Sequence, residues 1–470
     1  MGRKSLTREL AVWVNGIRAA TWRIPPRGGE EFQYEPAWVE SEEGRPLSLS
    51  LPFSLDNAPI KGPSVNCYFD NLLPDSDPIR QRIQRRFRTE SRSAFDLLVA
   101  VGRDCAGAVQ LVPKDETPAR TDSIAVQPLT DEEVERALIN TTSNAPLRQL
   151  EDAEFRISLA GAQEKSAFVY HEGRWCRPLG STPTTHIFKL PLGLIGGRRA
   201  DMTLSVENEW LCARILRAFG LPIPDTTIGR FGSQKVLIVE RFDRQLHPSR
   251  KYWLRLVQED FCQALGVPSA KKYEADGGPG VLDIAKILRG SVARQEDLET
   301  FFKAQLVLWM LAACDGHAKN FSLRILSQGR YRLTPLYDVI SYWPIVGNRG
   351  SHVSYHDLRM AMAVLGKNKH YKIAGIQRRH FVETAARMGI GAAADSLIQD
   401  MLDRTNGVIS EVQKDLPAEF PQGVLDAVLK GLKDAAARLE NRSTAALGQS
   451  TKKRKESQSK RTSQRARAPR

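Results

Sequence analysis

The chain has 470 residues, 41% of them apolar and 26% charged, with a formal net charge of +14. This is the composition of a folded chain of two to four domains, and it excludes wholesale disorder and fibrous repeats. The longest strongly apolar run, residues 306–314, spans nine residues where a membrane-crossing helix needs roughly 20, so no membrane partner is expected.

In chain order, residues 10–17 read as a strand entering a hairpin turn at Asn15-Gly16. Residues 47–51 (LSLSL) alternate with period two, as a strand does. A turn at 71–75, an arginine-rich helix over 79–87 and a short apolar segment at 94–101 follow. The helix could meet DNA or an acidic partner, or simply present a solvated face. Residues 114–150 are polar, with one short helix near 131–139. Strands are expected at 155–159, 166–170, 185–190 and 235–240, with a helix over 208–219 capped by Gly220. Beyond residue 258 the pattern is helical: 258–265, 280–288, 297–313, 376–389, 393–415 and 423–441. One hairpin interrupts it, 321–326 with 331–336. Strands followed by helices, rather than alternating with them, predict an α+β architecture. Residues 442–470 are Ser-, Thr-, Lys-, Arg- and Gln-rich without apolar period and read as disordered. Residues 451–470 alone hold nine Lys or Arg and one acid, so +8 of the charge sits there.

Six isolated cysteines, none in a CxxC pair, argue against a structural zinc site and fit a reducing, cytoplasmic setting. The opening MGRKSLTREL lacks the apolar core of a secretory signal.

The chemistry concentrates in Cys314-Asp315-Gly316-His317-Ala318-Lys319-Asn320, after an apolar helix and before the hairpin. Asp315 and Asn320 have the Asp-x4-Asn spacing of a kinase catalytic loop. There the Asp takes a hydroxyl proton and the Asn holds magnesium. Asp338, after the second strand of the hairpin, stands where a further magnesium ligand is needed. On their own, Asp315 and Asn320 also fit a capped turn. Lys189, among apolar neighbours in an expected strand, would require an anion: a phosphate, with Glu209 or Glu207 as the orienting partner. Ala160-Gly161-Ala162-Gln163-Glu164-Lys165 lies between two expected strands, as a flap over phosphates or a plain hairpin turn. Ser158, just before it, is a candidate for autophosphorylation. Glu240-Arg241-Phe242 ends a strand where two lobes would join. His317 has no second ligand at metal spacing, which disfavours zinc.

Together with Ser48–Pro52, Phe69–Asp75, Gly102–Ala108 and Gln258–Asp260, these motifs occur in one order. In that order the chain resembles the HipA family, serine/threonine-kinase toxins of bacterial type II toxin–antitoxin modules. The resemblance implies a two-lobed protein-kinase-like fold. Its parts would be a β-rich N-terminal subdomain (1–113), a kinase-like N-lobe with phosphate loop and hinge (114–245), a helical C-lobe with catalytic loop (246–445) and a basic tail (446–470). It implies Asp315 as catalytic base, and Asn320 and Asp338 as Mg2+ ligands. ATP would contact Lys189, Ala160 to Lys165, the hinge Glu240 to Phe242, His317 to Asn320, and Tyr337. Ser158 would be the inhibitory autophosphorylation site. The implied substrate is an aminoacyl-tRNA synthetase such as glutamate–tRNA ligase. The implied partners are a helix-turn-helix, HipB-like antitoxin and, through it, operator DNA. The alternative is a DNA-associated co-regulator with a vestigial nucleotide site.

The basic tail is either a nucleic-acid contact or a solubilising extension. Deleting 446–470 is expected to leave phosphoryl transfer unchanged. If the tail touches DNA, the salt dependence of operator binding by the antitoxin complex, measured by titration, becomes shallower.

Overall fold

Asn15 and Gly16 both adopt positive φ, 48° and 83°, and turn Arg8–Val14 back onto Ile17–Ile24, the two-residue hairpin that their sequence predicts. The computed structural model describes residues 7–119, 122–142, 159–196, 200–348 and 350–440. The hairpin is the centre of a five-stranded antiparallel sheet. Its order is Ile60–Lys61, Glu31–Tyr34, Ile17–Ile24, Arg8–Val14, Val109–Pro113. The helices Pro63–Asp70 and Ala94–Val101 cover it. Trp22 stacks on Phe69 at 3.9 Å and meets Phe95 edge-on. The helix Asp77–Phe87 follows the turn at 71–75.

The expected strand at 47–51 is instead a turn closed by a Ser48–Leu51 bridge. The alternation has another cause. Leu47 and Leu51 enter the core, while Ser48 Oγ donates to Glu259 and Ser50 Oγ to the Gln263 carbonyl (2.7 Å).

A second, six-stranded antiparallel sheet runs Thr226–Phe231, Gln234–Glu240, His186–Lys189, Lys165–His171, Arg174–Pro178, Val126–Pro128. Val134 and Leu138 of the helix Asp131–Thr142 pack on Phe168, Phe188 and Val236. The expected strand at 155–159 and Ser158 lie outside the described residues except for Leu159, and so does the tail.

The remaining chain is the helical lobe: Val281–Leu288, Arg294–Met310, Arg378–Met388, Ala394–Val412 and residues 422–440. They share one core with the helix Ser205–Ala218. Two expectations are corrected here. Residues 258–265 are not one helix. Gln258–Asp260 pairs as a strand with Ser322–Ile325, and a short helix, Phe261–Ala264, starts only afterwards. Asp260 forces the break: its carboxylate accepts from Gln263 N (2.8 Å) while Gln263 Oε1 accepts from Asp260 N (3.0 Å), a reciprocal cap. A second hairpin, Arg359–Leu365 with Lys369–Lys372, was not anticipated. Its first strand is buried from Met360 to Leu365, so it shows no polar alternation to read. The architecture is α+β, a β-rich half followed by a helical lobe. Among the described residues no helix is long and apolar enough to cross a membrane.

The first sheet joins the second through a buried charge cluster. Asp104 ion-pairs with Arg241 (3.3 Å), Arg244 (3.0 Å) and Arg255 (3.1 Å), and accepts from Thr184 Oγ1 (2.6 Å). Asp243 pairs with Arg241 (2.7 Å) and Arg244 (3.0 Å) and accepts from Gly107 N (2.7 Å). Burial opposes ionisation of Asp104, but Arg244, Arg255 and Arg241 outweigh it and hold the carboxyl far below its usual range. Removing one member leaves an uncompensated buried charge. Asp104→Asn is therefore expected to lower unfolding stability by about 3 kcal/mol or more, read by denaturant titration. An exposed control, Glu43→Gln, should stay within about 0.5 kcal/mol of the parent.

Candidate active site

His186–Lys189 is an inner strand, bonded on both sides by Gln234–Glu240 and Lys165–His171. Its last residue is therefore carried into the interior. The Lys189 side chain is 7% exposed; its Nζ lies 2.5 Å from Glu209 Oε1 and 2.7 Å from Asp338 Oδ1. Glu209 comes from the helix Ser205–Ala218. Glu207, the other candidate, pairs with Lys235 instead. Burial alone would lower the Lys189 pKa. Asp338 and Glu209 outweigh it and raise the pKa, so the ammonium is permanent. Asp338 is held ionised against burial by Lys189 and then Lys165. It sits at φ +62°, a left-handed conformation that an aspartate adopts at some cost, of the kind found where a site dictates side-chain direction.

The catalytic-loop candidates follow the helix Arg294–Met310. Asp315 is half exposed. Its carboxylate accepts from the Tyr273 hydroxyl and lies 3.8 Å from His317 Nε2. Its carbonyl accepts from His317 N (2.8 Å) and Asn320 Nδ2 (2.7 Å). The capped turn and the kinase spacing are thus the same structure: the amide that caps the loop also fixes Asn320. Because Nδ2 is engaged, the amide oxygen is the atom left to a ligand. His317 is buried against the Tyr273 ring, centroids 5.1 Å apart, and burial holds it neutral, its pKa lowered to about 4. Ala318 packs into the helical core.

Gly161, at φ +106°, opens the loop Ala160–Lys165; a Cβ there would come 2.8 Å from Lys165 Nζ. Lys165 Nζ donates to the Ala160 carbonyl (2.5 Å), closing the loop on itself. Gln163 Nε2 donates to the Leu190 carbonyl (2.5 Å), and Glu164 ion-pairs with Arg82. Arg80 pairs with Asp70 (2.6 Å), so two of the arginines on the helix Asp77–Phe87 serve the protein's interior.

A cleft gathers these groups. Ala160, Gly161, Ala162, Lys165, Lys189, Asp315, His317, Lys319, Asn320, Tyr337 and Asp338 line it, with Glu240, Arg241 and Phe242 at the strand end. Gln163, Glu164 and Ala318 do not. The Arg241 side chain belongs to the Asp104 cluster, so only its backbone serves the cleft; its N–H donates to Thr185 O (2.9 Å). Phe242 and Tyr337 stand 5.7 Å apart, and the Tyr337 hydroxyl donates to Lys319 O (2.8 Å). Sequence reasoning assigned no role to Tyr273, Lys272 or Asp75. Their one visible signal was an acid closing the Asn71-Leu-Leu-Pro-Asp75 turn.

The donors suit a hard divalent cation. Asp338 is ionised and Asn320 offers an amide oxygen, while magnesium takes one or two protein oxygens and completes its shell from phosphates and water. Lys189 and Lys165 add positive charge beside them. An arrangement of this kind can bind a polyphosphate and hold a carboxylate, Asp315, near an incoming hydroxyl.

Residues 10–112 match the HipA N-terminal domain, and residues 157–409 the HipA-like C-terminal domain. The putative kinase Y4mE of Sinorhizobium fredii is 31% identical over 418 residues, 87% of this chain and 92% of that protein. The serine/threonine-protein kinase toxin HipA of Shewanella oneidensis is 30% identical over 320 residues, 66% of this chain and 69% of that protein. The fold matches a chain of the solved Shewanella oneidensis complex of HipA, HipB and operator DNA. The TM-score is 0.73 at 21% identity, covering 92% of this chain and 97% of that one.

Burial, helped by the Lys189 charge, lowers the Lys165 pKa to about 8. A bound phosphate stabilises the ammonium and raises that value. Affinity for a nucleoside triphosphate is therefore highest below pH 8 and falls as pH rises through it, by up to about tenfold per pH unit. Calorimetric titration across pH 7–9.5 should show this slope, and Lys165→Met should flatten it.

Proposed function

Because this chain belongs to the HipA family, we propose that it is an ATP-dependent protein serine/threonine kinase acting as the toxin of a type II toxin–antitoxin module. The observation that carries the reading is the ion-paired Lys189–Glu209–Asp338 set, which shares a cleft with Asp315 and Asn320. Lys189 and Lys165 meet phosphate oxygens, and the strand end Glu240 to Phe242 takes the base. A magnesium ion held by Asn320 and Asp338 supplies charge neutralisation on the phosphates when bound. Asp315 accepts the proton of the acceptor hydroxyl. The hydroxyl oxygen bonds to the γ-phosphorus as the bond from that phosphorus to the β–γ bridging oxygen breaks, and ADP leaves. Neutral His317 adds no charge beside Asp315. Tyr273, its phenol pKa raised by burial and then by Asp315, stays a hydrogen-bond donor to the carboxylate.

The phosphorylated protein is proposed to be an aminoacyl-tRNA synthetase such as glutamate–tRNA ligase, with Ser158 as a second acceptor in cis. A HipB-like helix-turn-helix antitoxin is the proposed partner and operator DNA the proposed target of the complex. The match to the HipA–HipB–DNA complex supports this through the fold. The paired state of Lys189 and Asp338 disfavours a vestigial site, since an unused buried ammonium is costly to keep.

Incubation with γ-labelled ATP and magnesium tests the reading. Asp315→Asn is expected to reduce transfer by about 10²–10⁴-fold while nucleotide binding persists. Label on the parent chain should vanish in Ser158→Ala, whose transfer to a protein substrate continues. Undiminished transfer by folded Asp315→Asn would overturn the assignment.

A further inference from the structure

The kinase reading leaves the N-terminal sheet without a task, yet its turn 71–75 enters the cleft. Asp75 N donates to the Gly161 carbonyl (3.1 Å), and Pro74 and Gly161 form a parallel bridge. The Asp75 carboxylate, 11% exposed, then spans two ammonium groups: Lys319 Nζ at 2.6 Å and Lys272 Nζ at 2.9 Å. Lys319 is 3% exposed and also reaches the Asn71 carbonyl (3.4 Å). From the next helix, Arg82 ion-pairs with Glu164.

We propose that the N-terminal subdomain is the brace of the phosphate loop, and that Asp75 is the positioning residue tying that loop to the catalytic loop. The loop's own sequence makes a brace necessary. Its C-terminal half is fastened to the kinase sheet: Leu190 N donates to Glu164 O (3.1 Å) and Gln163 Nε2 to Leu190 O (2.5 Å). Its N-terminal half, Ala160-Gly161, has no side chain able to anchor it. Gly161 needs positive φ, so it favours the native turn no more than many others. Lys165 Nζ ties Ala160 only to the loop's own end; the Asp75 N–H ties Gly161 to a segment outside the loop. The Asp75 carboxylate fixes where that N–H stands, because the buried Lys319 ammonium and the partly buried Lys272 ammonium hold it. Burial opposes its ionisation, and Lys319 and Lys272 nevertheless bring its pKa down to about 2. Lys319 directly precedes Asn320, so the same carboxylate sets the spacing between the phosphate loop and the proposed metal ligand. A loop held in place before nucleotide arrives costs less ordering on binding. The brace therefore acts on nucleotide affinity more than on the chemical step.

This inference rests on the kinase reading, and the test separates the two. In the full chain, Asp75→Asn keeps the backbone donor and removes the charge. Arg82→Gln loosens the loop from the other side without stranding a buried lysine, and serves if Asp75→Asn misfolds. Asp75→Glu is the conservative rescue. Thermal unfolding checks that each variant is folded; hydrogen exchange over 159–165 and steady-state kinetics follow. The expected result is faster exchange in the loop, KM for ATP raised about tenfold or more with kcat within about threefold, and partial recovery in Asp75→Glu. Unchanged exchange and KM in folded Asp75→Asn and Arg82→Gln would overturn the brace. If the parent chain transfers no phosphate, the kinase reading falls, and loop exchange in the variants still decides whether the brace exists.

Discussion

A buried ion must find a counter-ion, and here that rule decides where the strand end of the cleft lies. Asp104 and Asp243 face three guanidinium groups whose side chains are each 1% exposed. Two carboxylates against three cations leave an excess positive charge, which carbonyl oxygens absorb: Cys105 O accepts from Arg241 and Arg244, Gly107 O from Arg244 and Ser181 O from Arg255. Such an array tolerates little displacement, because every shift uncovers a charge in low dielectric. The turn 102–107, Thr184, residues 241–244 and Arg255 are consequently locked together. The backbone of Glu240 to Phe242 reaches the cleft at a place defined by the first sheet as much as by the second.

The cleft repeats the rule at smaller scale, with one deliberate difference. Lys189 is paired with Glu209 and Asp338, and Lys319 and Lys272 share Asp75. Asp315 meets a tyrosine hydroxyl and a neutral imidazole instead. A carboxylate pinned to an ammonium is a poor proton acceptor, so the residue proposed for proton transfer is the one held by a neutral donor, the Tyr273 hydroxyl. Charge pairing leaves proton transfer to this acid, while Asp338, paired with Lys189, is the proposed metal ligand.

What could be read from the sequence follows the range of the interactions involved. Asp315, Asn320 and their turn are local, within six residues, and legible. Lys189 was legible because a lysine flanked by apolar residues demands an anion, although Glu209 and Glu207 could be separated only by seeing which one Lys235 occupies. The turn at 47–51 and the strand at 258–260 misled because each is shaped by the other: the Ser48 hydroxyl and Glu259 are 211 residues apart, and no local period encodes their contact. Arg241 lies beyond the end of the strand Gln234–Glu240, as its sequence position implies, but its side chain serves a cluster built from four distant segments. The arginine-rich helix looked like a surface, whereas two of its guanidinium groups point inward to Asp70 and Glu164.

The separation of 244 positions between Asp75 and Lys319 carries a consequence for synthesis. Contacts between such distant segments form late, since loop closure must be met before they stabilise anything. The hairpin Arg8–Val14 with Ile17–Ile24 can pair early, but the phosphate loop and the catalytic loop cannot be brought to their working separation until the helical lobe has been made. A chain interrupted before residue 320 would lack Ile325 from the core of the first sheet and would have no assembled cleft. The cleft is thus among the last parts of the molecule to be assembled.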